Sequence, residues 1–81
     1  MSLRLQPVSV GAGSIDTESQ LVFSEGFLVA VLVQLSAAHG DQNGMWFLEA
    51  GFGHLDYKQG PVFVNLDEAQ AWIIDQLSSE A

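Results

Sequence analysis

Phe27-Leu28-Val29-Ala30-Val31-Leu32-Val33-Gln34-Leu35 is the longest apolar run in the sequence, interrupted only by Gln34. β-Branched residues recur at Val29, Val31 and Val33, where stiff side chains pack well on a pleated surface. A helix needs about 20 residues to cross a bilayer, so this run does not read as a transmembrane span. It reads as a central strand, buried on one face and largely buried on the other. The rest of the chain is arranged to cover it.

On the N-terminal side, Leu21-Val22-Phe23 is a short strand candidate. Ser24-Glu25-Gly26 links it to the central run, and Gly26 can take the positive φ of a tight hairpin turn. The competing reading is one long bent strand with a bulge at Glu25-Gly26. Further upstream, Leu3 to Val10 contains Pro7. Proline donates no ladder hydrogen bond, so this segment is an edge strand or an irregular arm. Gly11-Ala12-Gly13-Ser14 and the polar stretch after it read as a flexible connection. Residues 1–19 are therefore set apart as a flexible arm or edge strand, and 20–81 as a single α+β domain.

On the C-terminal side, Ala37 to Gly44 carries turn residues, including Asn43-Gly44. A two-residue turn there would pair the next strand with polar residues and waste the apolar run. A wider loop is expected, with Met45 to Phe52 pairing against 27–35. Placing Trp46, Leu48, Ala50 and Phe52 beside Val29, Val31, Val33 and Leu35 gives one wholly apolar face. A one-residue slip would put Glu49 among the valines. Gly51 to Gly60 is a second loop, and Gly60-Pro61 opens a short strand, Val62-Phe63-Val64.

The last segment predicts a helix. Asn65 is a good N-cap, with Glu68 three residues on and Asp67 beside it in the first turn. Leu66, Ala69, Ile73 and Leu77 fall on one stripe, flanked by Trp72 and Ile74. The tail from Ser78 reads as frayed. The expected fold is α+β: an antiparallel β-sheet of three to five strands in a meander, with one C-terminal α-helix packed on one face. One helix covers one face, which leaves Leu28, Ala30, Leu32 and Phe47 on the other. Each would contribute roughly 1.5–3 kcal/mol if fully buried. They are expected to meet a second copy or the N-terminal arm.

Composition points the same way. Eighty-one residues make one domain, and 48% hydrophobic against 15% charged is apolar for so small a chain. Ten acids face two bases, Arg4 and Lys58, for a formal charge of −8. That balance excludes nucleic-acid binding by phosphate neutralisation and adhesion to anionic membranes. The acidity reads first as solubility and second as an acidic surface for a basic partner. The chain has no cysteine, which removes disulfides, thiolate catalysis and cysteine-ligated zinc. The N-terminus carries no secretory pattern, so a cytoplasmic location is expected.

No motif assigns an activity. His39-Gly40-Asp41 and His54-Leu55-Asp56 share a His-x-Asp pattern that would suit a metal or an acid–base pair. The meander puts the two loops at opposite sheet ends, on the order of 20 Å apart. Two such histidines read better as solvated turn residues. Ser9, Ser24 and Ser36 lack a nucleophile elbow, and Gly11-Ala12-Gly13 is not a nucleotide fingerprint. Trp46 and Trp72 could form a ligand platform but read first as packing residues, with Trp72 at an interface rim. No nucleophile–base–orienter set can be assembled, so the chain reads as non-enzymatic, with no cofactor and no metal. The leading expectation is a small acidic interaction module that self-associates through its free sheet face, with Leu28, Ala30, Leu32, Phe47 and Trp72 as candidate interface residues. The alternatives are an acidic adaptor or inhibitor for a basic partner, and a small-ligand or metal binder at His39 and His54.

Overall fold

Ser24 and Phe27 face each other across a two-residue turn in which Glu25 (φ 53°) and Gly26 (φ 87°) both take positive φ. Two positive φ values in succession give the turn whose twist matches that of the flanking strands, so a hairpin forms rather than a bent strand. The computed structural model describes residues 3–9, 18–56 and 60–78, and for residues 37–39 and 54 the backbone only. The connection at residues 11–14, Lys58 and the tail at 79–81 lie outside the described residues.

Five strands run in chain order: β1 (Leu3–Ser9), β2 (Glu18–Ser24), β3 (Phe27–Gln34), β4 (Trp46–Gly51) and β5 (Val62–Phe63). They form one antiparallel meander, β1-β2-β3-β4-β5, followed by the helix α1 (Leu66–Ser78). The fold is α+β. Pro7 lies in β1, an edge strand, opposite Gln20. The β3–β4 link is a wide loop containing a kinked 3-10 segment, Ala37–Gln42. It is closed by the Leu35 N–H donating to the Met45 carbonyl (2.8 Å) and the Gly44 N–H donating to the Leu35 carbonyl (2.7 Å).

The expected strand pairing holds, but the phase of the faces does not. Trp46 stands opposite Gln34, and Leu48 opposite Leu32. The register then shifts, so that Val31 pairs with Ala50. Glu49 is the extra residue of this bulge and is exposed. A bulge spends one residue to reset the alternation. Here it puts Ala50 opposite Val31 and Gly51, rather than Ala50, opposite Ala30 on the core side. A second shift lies between Val22 and Phe23, where Val22 pairs with Ala30 but Phe23 pairs with Leu28.

Helix α1 lands on the side carrying Val22, Ala30, Leu32, Trp46 and Leu48. These residues form one cluster with Phe63, Leu55, Ala69 and Ile73. Ala30 and Leu32 are 0% exposed. This corrects the sequence reading, which placed both on the free face and Val31 and Val33 under the helix. Leu55, in the 3-10 turn Gly53–Leu55, closes one end of the cluster at 0% exposure.

The helix is built as its sequence predicts. Asn65 Oδ1 accepts the Glu68 N–H at 2.8 Å, satisfying one of the free amides of the first turn. Ala69 and Ile73 are the buried helix residues, with Leu66 and Leu77 packed partly against the same cluster. Trp72 lies against Phe63, ring centroids 5.5 Å apart and tilted by 53°. Two glycines set the approach of the chain around β4. A Cβ on Gly51 would overlap the Leu55 carbonyl, and one on Gly60 would overlap the Leu48 carbonyl.

Candidate interaction surface

Alternation along β1 to β5 decides which side chains face away from α1. Leu21 pairs with Val31, Val33 with Phe47, and Phe47 with Val62. All lie out of phase with the helix-side residues Val22, Leu32, Trp46 and Phe63. They form the second face of the sheet, and no α-helix or strand among the described residues lies over it. Leu21, Val31, Phe47 and Val62 are half-buried. At the end towards the 37–42 loop the same face is more enclosed, with Ser19, Val33 and Leu35 buried. Ser19 Oγ is buried there without a hydrogen-bond partner.

At the other end the surface opens. Leu28, opposite Phe23, is 37% exposed and Phe52 50%, whereas Phe27, 75% exposed, pairs with Ser24 and so lies on the helix side of the sheet end. The Phe52 N–H donates to the Val29 carbonyl at 3.0 Å, which keeps Phe52 beside the start of β3. Leu28 lies near the start of the same strand. Five strands at about 4.8 Å spacing and about six residues long span on the order of 500 Å² in plan, before side-chain relief is counted. A standard interface buries about 800 Å² per partner, so the face supplies a little over half of that in plan, to which side-chain relief and exposed Leu28 and Phe52 add.

Charge is segregated from this face. Asp67, Glu68 and Asp75 lie on α1, Glu25, Asp41 and Asp56 lie in turns and loops, and Glu18 starts β2 in phase with Val22, on the helix side. Alternation from Leu48 leaves Glu49 as the only described acid at a sheet position on the open side. Arg4 is on that side too, its guanidinium 4.6 Å from the centre of the Phe23 ring directly across from it. The described acids are spread over the helix and both ends of the sheet. They do not gather into the single patch that docking on a basic partner would use.

Of the five candidate interface residues, Leu28 and Phe47 lie on the open side. Ala30 and Leu32 lie in the core. Trp72 is on the helix, half-buried against Phe63. Sequence reasoning missed Leu21, Val31 and Val62 because both sides of β3 are apolar and it took the valine side as the inward one. It placed Phe52 with Trp46 and Leu48 by unbroken alternation, and the bulge at Glu49 moves it to the open side. The loops carrying His39 and His54 join opposite ends of β4, and their side chains lie outside the described residues. Among the described residues no three histidine, aspartate or glutamate side chains converge on a metal-sized site. No helix among them is long and apolar enough to cross a membrane.

Comparison with family models, with curated proteins and with solved structures finds no match to this chain. The functional reading therefore rests on the geometry of the sheet face alone.

Proposed function

We propose that the protein is a non-enzymatic interaction module that self-associates by stacking the open sheet face of one copy on that of another. The carrying observation is the five-stranded sheet with the one described helix on one side, leaving an apolar second face next to exposed Leu28 and Phe52. Such a face matches the inner surface of a β-sandwich, where two sheets pack about 10 Å apart. A second copy is the occupant because the face is nearly free of the chain's negative charge. Two copies at −8 each can approach closely only where the acids are absent. An isologous dimer also gives closed symmetry from a single patch.

The test is solution mass by light scattering or sedimentation, combined with one open-face substitution. The expected mass is near twice 8.7 kDa. Phe47→Glu is expected to give a folded monomer, since Phe47 is only half-buried in one chain. A wild-type protein that stays monomeric at about 0.1 mM would refute the reading.

A further inference from the structure

We propose that Arg4 and Glu49 fix the register of the self-associated pair, with Arg4 of each copy meeting Glu49 of the other. This rests on the reading of the open face as a self-docking surface. The observation behind it is compositional and geometric together. Across the whole open side, the described residues place one cation and one acid at sheet positions, Arg4 on β1 and Glu49 on β4. Both are exposed.

They are not neighbours within one chain. β2 and β3 lie between their strands, so three strand spacings of about 4.8 Å, roughly 14 Å, separate them. Packing two apolar sheets face to face would leave an uncompensated Glu49 against hydrocarbon unless a cation of the partner meets it. The placement provides that cation. The midpoint between the two positions falls between β2 and β3, near the Leu21–Val31 pair at the centre of the face. A two-fold axis through that midpoint, lying in the plane between the sheets, can bring Arg4 of each copy over Glu49 of the other. One contact is then made twice. Arg4 already lies over the Phe23 ring, which holds its guanidinium at the surface of this face. The same pair would reject stacking in other orientations, which would oppose like charges or leave Glu49 without a partner.

The competing role for Glu49 is that of a lone charge keeping an apolar face from associating at all. The two roles predict opposite results. Wild type, Arg4→Glu, Glu49→Arg and the double reversal are compared by sedimentation over a concentration series, with circular dichroism confirming the fold. Each single reversal is expected to weaken association by roughly tenfold, and the double reversal to restore it to within a few-fold. Glu49→Arg is especially telling. It lowers the formal charge from −8 to −6, one acid lost and one base gained, so general repulsion alone would make it associate more tightly. A double reversal that does not restore association, or a Glu49→Arg chain that dimerises more tightly than wild type, overturns the pairing. Wild-type protein that never dimerises refutes self-docking itself, whereas a wild-type dimer indifferent to all three variants refutes the pairing alone.

Discussion

Leu32→Ala and Val31→Ala are adjacent changes with very different expected costs. Leu32 is 0% exposed, flanked by Gln20 and Leu48 on the neighbouring strands, and clustered with Trp46 and Ile73. Truncating an enclosed leucine to alanine costs about 2–5 kcal/mol, with the larger values where surrounding groups cannot collapse into the void. With α1 above it and bonded strands on both sides, about 3–4 kcal/mol is expected here. For a domain of 81 residues each kcal/mol moves the melting temperature by about 4–8 °C, so the loss is roughly 15–25 °C. Val31 faces the open side and is only half-buried. Its truncation in the isolated chain costs about 1 kcal/mol, or roughly 5 °C. Thermal unfolding followed by circular dichroism at low protein concentration reads both. Leu32→Val, which removes one methylene at a cost of about 0.8 kcal/mol, supplies a measurable point if Leu32→Ala is too unstable to study. The sequence reading puts Val31 under the helix and Leu32 outside. A larger loss for Val31→Ala than for Leu32→Ala would therefore refute the structure's assignment of the Leu32 side of β3 to the helix.

Four further outcomes follow from local geometry. Gly51→Ala and Gly60→Ala should each lower the melting temperature sharply, because the added Cβ meets a backbone carbonyl that cannot swing aside; Gly44→Ala, with open space but positive φ, should cost only about 1 kcal/mol. Glu25→Asn should raise stability by a few tenths to about 1 kcal/mol, since asparagine tolerates the left-handed conformation that Glu25 now holds at φ 53°. Asn65→Ala should cost about 1 kcal/mol in chemical denaturation through loss of the cap to the Glu68 N–H. Ser19→Ala should be neutral or stabilising, because the hydroxyl it removes is buried without a partner; a loss above about 1 kcal/mol would show that the hydroxyl is satisfied in solution.

Much of the fold was legible because the signals are local. The hairpin at Glu25-Gly26, the edge strand around Pro7, the wide loop before Trp46 and the helix capped by Asn65 each follow from the conformational preferences of a few neighbouring residues. The open face was legible as a consequence of one helix covering one side, but its membership was not. Only Leu28 and Phe47 were placed on it correctly, while Ala30 and Leu32 went to the wrong side. Both sides of β3 are apolar, so hydrophobicity cannot tell valine from leucine as the inward set.

The sequence by itself determined the order of the elements, their antiparallel pairing and the acid-poor, apolar character of the central strands. Only the tertiary structure decided which side of β3 meets α1. Side-chain alternation keeps its phase only until an extra residue enters a strand pair, and here one enters beside Phe23 and another at Glu49. The second bulge puts Ala50 opposite Val31 and brings Gly51, rather than Ala50, opposite Ala30 on the core side, where a side chain would overlap the Leu55 carbonyl. That fit exists only when β3, β4 and the 53–55 turn are all in place.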